Sequence, residues 1–201
     1  MTHFDGNSIL QQYLAAIRDA IQRGFAEYAS LYGHVSVVHH PRSRATVIHD
    51  HIVARAKEIF DEFPGIHFLS GAPRNLFDVD GKIVLQFKKL RRTLLSSNYP
   101  TQLALAFERQ QRVDGFPEIP PKLPRLAAGY VPSRDFTSID GIYVTFAEGK
   151  RLKWFLDITN EGDQALPFQL PETPPQDAPT KRAQPKRAER PGSDSSAADQ
   201  S

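Results

Sequence analysis

Apolar residues recur every three or four positions from Ile9 to Leu31, through Leu10, Tyr13, Leu14, Ile17, Ile21, Phe25 and Tyr28. That spacing lays one stripe along a helix. Ser8 or Asn7 can cap it and Gly33 stops it. At about 1.5 Å per residue the segment forms a rod roughly 36 Å long. A stripe of that length needs a sheet or a second chain to cover it, so a homodimer through this helix is one expectation. Residues 35–38 then predict a short strand closed by Pro41, and Ser43 or Thr46 opens a second helix running to Glu62. The core face of that helix is Ile48, Ile52, Ile59, Phe60 and Phe63, and Pro64-Gly65 breaks the chain after it.

The period changes from 3.6 to 2 further on. Residues 66–69 predict a strand, and Ile83, Leu85 and Phe87 alternate with Val84, Gln86 and Lys88. Asp80-Gly81 just before them is a hairpin signal, because a type I′ turn needs positive φ at both central positions. The arms fall at residues 75–79 and 82–90. A turn at 96–101 leads to Thr101 as the N-cap of a third helix, with Leu103, Ala106, Phe107 and Gln110 on one face and Asp114-Gly115 at its end. After a proline-rich link, residues 126–131 predict a strand. Residues 139–147 and 151–158 predict a second hairpin about Glu148-Gly149-Lys150, with Trp154 the only tryptophan.

This order reads as an α+β domain over 1–160. A long N-terminal helix and two further helices pack on a mainly antiparallel sheet, built from two β-hairpins and short strands. Beyond Leu170 no apolar residue larger than alanine occurs apart from proline, and seven of the 16 prolines follow Asn160. Residues 161–201 therefore predict a disordered proline-rich tail carrying a short basic block, Lys181 to Arg190.

Composition narrows the chemistry. The chain has no cysteine, which excludes thiol catalysis and sulfur-ligated zinc. It has no apolar run of membrane-spanning length and an acidic start where a signal peptide is basic, so the expectations are a cytoplasmic location and no membrane partner. The formal charge is +2, and the tail's five bases and five acids cancel, so the excess sits in residues 1–170. Arg74 to Arg92 holds six bases against two acids, and no acid occurs between Asp80 and Glu108.

That basic run is the leading candidate site. Arg74, Lys82, Lys88, Lys89, Arg91 and Arg92, followed by Ser97 and Asn98, combine cations with hydroxyl and amide groups, the mixture that binds nucleic-acid phosphates. The partner expected is nucleic acid or a regulatory protein, and no cofactor is implied. The alternative is lysine guarding a strand edge.

Two other constellations compete with it. Asp78, Gln86 and Lys88 imitate the hairpin of restriction-endonuclease-like nucleases, in which an acid holds Mg²⁺ and a lysine stabilises developing charge. Mg²⁺ is implied only under that reading, and Gln86 stands where a carboxylate would ligate better. Six of the seven histidines lie between His34 and His67. Of these, His39, His40, His49 and His51 are the candidates for metal ligation, although His49 and His51 are two apart and face different ways on a helix. A pure protein-interaction module using the first helix is the third reading.

Ser97-Asn98-Tyr99-Pro100-Thr101, Gly115-Phe116-Pro117, Ala128-Gly129-Tyr130 and Trp154, in that order, resemble a family of small, poorly characterised bacterial proteins. Its members sit near helix-turn-helix regulators in toxin–antitoxin or mobile-element settings. The resemblance covers about residues 74–158 and implies that setting, with no activity or catalytic residue.

Overall fold

Strand pairing sets the frame that positions everything else. A computed structural model of the chain describes residues 2–69, 75–97, 101–111 and 123–160. Six strands, β1 (Ile66–Leu69), β2 (Leu76–Val79), β3 (Ile83–Lys89), β4 (Arg125–Pro132), β5 (Ile139–Glu148) and β6 (Arg151–Asp157), lie side by side in chain order. Every neighbouring pair is antiparallel except β3–β4, which is parallel. A parallel pair needs a crossover, and α4 (Gln102–Glu108) lies on it. The protein is thus mixed α+β with a mostly antiparallel sheet. The parallel pair is absent from the sequence expectation because periodicity marks strands but says nothing of their direction.

Asp80 and Gly81 both hold left-handed backbone, with φ of 55° and 64°, and the Lys82 N–H donates to the Val79 carbonyl at 2.9 Å. The Tyr13 hydroxyl donates to Asp80 Oδ1 at 2.9 Å, tying this turn to the N-terminal helical segment.

That segment starts earlier than its apolar stripe suggests. Thr2 and Asp5 form a reciprocal capping box, so α1 spans His3–Leu10. A 3₁₀ turn, Gln11–Tyr13, joins it to α2 (Leu14–Tyr32). Two expectations fail next. Residues Gly33–Val38 form a 3₁₀ helix, not a strand, and α3 (Pro41–Phe60) begins at Pro41, not at Ser43 or Thr46. Proline opens this helix because its missing N–H is one the first turn leaves unbonded anyway, and His40 Nδ1 accepts from the Arg42 N–H at 3.3 Å.

The buried faces of α2 and α3 share one core with the sheet, including Ile17, Ile21, Phe25, Ile48, Ile52 and Phe60 with Phe77, Leu85, Phe87, Tyr130, Phe146 and Trp154. On the opposite sheet face, Phe107 of α4 packs with Leu76 and Val84. Gly24 is where α2 meets α3 most closely, for a Cβ there would lie 2.5 Å from the Ile52 backbone N and Cα. Backbone cannot yield as a side-chain tip can. Gly24→Ala should therefore force the helices apart and cost about 1–3 kcal/mol, the range for overpacked cores. Urea denaturation followed by circular dichroism measures it, and an unchanged midpoint would mean that the two helices tolerate separation.

The Asp114-Gly115 helix end, the Gly115-Phe116-Pro117 segment and the tail lie outside the described residues.

Candidate functional site

The basic end of β3 turns back on itself. Leu94 holds φ of 58°, its N–H donates to the Arg91 carbonyl at 2.8 Å, and the Arg91 N–H donates to the Leu95 carbonyl at 2.9 Å. Leu90 then bridges Ser96, and the Ser97 N–H donates to the Lys89 carbonyl at 2.9 Å. This small loop returns Ser97 to the side of Lys89. Facing them is the first turn of α3. Arg42, Thr46 and His49 of that helix, together with Lys88, Lys89 and Ser97, line a cavity of about 420 Å³. No carboxylate is among the described residues lining it.

The site is electrostatically tense. The first turn of α3 carries no acid, and Arg42 and Arg44 sit at the positive end of its dipole, where cations are disfavoured. The Lys89 ammonium is held below the usual lysine range by burial first, then by Arg44 and Arg91. Burial and then Lys88 hold the His49 imidazole down at about 4, so at neutral pH this half-buried ring carries no charge. An aromatic ring is shared by two of the cations. Phe136, in the β4–β5 loop, has Arg44 Cζ 4.7 Å from its ring centroid and Lys89 Nζ at 5.2 Å. It does so from φ of 62°, an unusual conformation for a bulky residue. The loop is braced by Ser133 Oγ, which donates to Asp135 Oδ1 at 2.6 Å, and these bonds with Thr137 bring the Asp135 pKa to about 2.

The structure gathers only part of the residues that sequence singled out. Lys88, Lys89 and Ser97 meet in the cavity, and Arg91 stands at the adjoining turn. Lys82 lies at the far end of β3, roughly 20 Å away at strand rise. Arg92 points toward the β5 side, where its Nη2 lies 3.5 Å from Asp140 Oδ2. The acid-free run along the chain is therefore not acid-free in space. Arg74 and Asn98 fall outside the described residues. Sequence reasoning missed Arg42, Arg44 and Phe136. Their only signal was the basic first turn of α3, hidden by placing that helix start downstream.

The register of β2 on β3 gives the residues of the nuclease constellation their places. Asp78 pairs in register with Val84, while Gln86 is buried two residues along and Lys88 belongs to the cavity at the α3 end. The histidines serve separate purposes. His39 Nδ1 lies 3.3 Å from the Tyr28 hydroxyl, His40 caps α3, His49 lines the cavity and His51 Nδ1 is 3.2 Å from Glu27. Among the described residues no three His, Asp or Glu side chains converge as a metal ion would require, and no helix is long and apolar enough to cross a membrane. No protein-family model, curated protein or solved structure matches the chain.

Proposed function

We propose that this protein binds nucleic acid, without catalysing a reaction on it, through the cleft between the first turn of α3 and the end of β3. The observation that carries the reading is the convergence of Arg42, Lys88 and Lys89 on a cavity whose described lining contains hydroxyls but no carboxylate. Basic side chains at the positive end of a helix favour an anion, and their contacts with a phosphate would release counterions from the polyanion. Thr46 and Ser97 supply hydroxyl donors suited to phosphate oxygens. Cations and hydroxyls of this kind suit phosphate oxygens, so contact with the backbone is the main term.

Fluorescence anisotropy with labelled single- and double-stranded DNA and RNA, at two salt concentrations, tests this. Saturable binding that weakens steeply with salt is expected, and its absence for all four ligands overturns the reading.

His49 gives a second, independent check. Its folded pKa of about 4 lies below the ordinary 6.5, so between these values the unfolded chain holds more protons than the folded one. Stability is then fully present above pH 6.5 and falls as pH drops through the window toward 4. The loss should be about 1–3 kcal/mol, and His49→Gln should remove it. A bound phosphate favours the imidazolium, so the His49 pKa followed by NMR should rise on adding oligonucleotide, and affinity should grow as pH falls toward 5. A pKa unmoved by saturating ligand would place the phosphate elsewhere.

A further inference from the structure

A second cavity, of about 390 Å³, lies on the other face of the sheet between α4, β4, β5 and the turn after β3. Its described lining carries the charged Arg91, Glu108, Arg125 and Lys150, of which Arg125 alone is buried. This residue begins β4, is only 2% exposed, and lines the cavity with the apolar side chains of Leu95, Leu105 and Phe107. An arginine so deeply buried is almost always matched by a carboxylate. Arg125 forms no ion pair with any described residue, and its pKa is lowered by burial alone.

The bonds Arg125 does make are one-sided. Nη1 donates to the carbonyls of Ala106 (3.3 Å) and Gln111, at the C-terminal end of α4. That accounts for one nitrogen as a cap on the helix end. Nε is buried with no hydrogen-bond partner among the described residues, and no bond from Nη2 to them is present. The Nε–Nη2 edge is the fork that matches two carboxylate oxygens. Gln110 holds the arginine in place. Its Oε1 accepts from the Arg125 N–H at 2.8 Å, while Nε2 donates to the carbonyls of Arg125 and Ala147, both at 3.0 Å. Gln110 thus anchors the Arg125 backbone, while the Nη1 bonds hold one end of the guanidinium.

We propose that this cavity binds a small organic carboxylate, its headgroup on the Nε–Nη2 edge of Arg125 and its apolar body against Leu95, Leu105 and Phe107. A phosphate monoester is the competing anion, because Arg91 and Lys150 also line the cavity beside Glu108; the apolar wall of Leu94, Leu95, Leu105 and Phe107 is what favours a ligand with an apolar body. The site is separate from the basic cleft and does not depend on it.

The test is isothermal titration of the full chain with 4-methylbenzoate and hexanoate, with 4-methylbenzamide as the uncharged control and inorganic phosphate as the alternative anion. At least one carboxylate should bind saturably. The amide should bind about tenfold more weakly or worse, as expected for losing a charge-assisted bond. Arg125→Gln should abolish carboxylate binding. If that variant does not fold, Ala147→Leu, which keeps Arg125 and narrows the cavity, must abolish it instead. A variant carrying Lys88→Glu and Lys89→Glu should bind the carboxylate like the parent chain, which separates this site from the nucleic-acid reading. Equal binding of amide and acid, preference for phosphate, or no binding of either carboxylate at millimolar concentration overturns the proposal.

Discussion

Trp154→Ala should lower the unfolding free energy by about 3–5 kcal/mol, the usual cost of emptying a large aromatic site in a core. The indole is 4% exposed and stacks on Phe146, its register partner on β5, with ring centroids 5.6 Å apart. β6 is an edge strand whose only sheet partner is β5. The side chains of Trp154, Leu156 and Ile158 carry its buried face into the core. Marginal stability of about 5–15 kcal/mol makes such a loss visible as a lower denaturation midpoint and reduced solubility. Phe155→Ala is the matched comparison. Phe155 points to the other face, half-buried with its ring 6.0 Å from that of Tyr143, so its removal should cost clearly less. Far-UV circular dichroism in urea measures both. Equal losses would show that the two faces of β6 are packed alike and that the core ends short of this strand.

The hairpin that carries Trp154 is a local pattern, and so it was legible in the sequence. The same holds for Asp80-Gly81, whose positive φ angles follow from residue type, and for Thr101, whose Oγ1 accepts from the Ala104 N–H at 3.2 Å. What could not be read depends on distant pairing. The parallel contact of β3 with β4 joins residues some forty positions apart, Val84 with Arg125 through Lys89 with Tyr130, and no local pattern encodes it. It brings Arg125 alongside the strand that ends in the basic run, yet buries it on the opposite face from α3. Within residues 33–41 the apolar character of Val35 and Val38 suggested a strand, and Pro41 its end. Proline stops a strand and starts a helix with equal ease, and the turn before it decided between them. That one boundary hid Arg42, which lines the cleft, and Arg44, which lies against Phe136. Charge along the chain was read correctly as basic. Charge in space was not, because Asp140 reaches Arg92 from β5 and Lys82 is carried to the other end of its strand.

That spatial division is what makes the binding proposal decidable. Reversing Arg42, Lys88 and Lys89 to glutamate should bring nucleic-acid binding below detection, since three phosphate-facing cations become three anions at one cavity. The milder Lys88→Ala with Lys89→Ala is more informative. Each lost phosphate contact removes roughly 0.9 from the slope of log affinity against log salt on duplex DNA, so the pair should flatten it by about 2. Lys89→Ala also takes away one of the two cations beside Phe136, relieving repulsion on Arg44, so the doubly substituted protein should melt no lower than the parent. Lost binding with retained stability is the signature of a functional cation, whereas a merely solvated lysine would leave binding untouched; β3 is paired on both sides, so its lysines guard no sheet edge. Lys82→Glu changes the chain's net charge as much as Lys88→Glu does, but it acts from the far end of β3 and should leave both affinity and slope as they were. If Lys82→Glu weakens binding as strongly as Lys88→Glu, the protein answers only to overall charge, and the cleft between α3 and β3 is not where the polyanion sits.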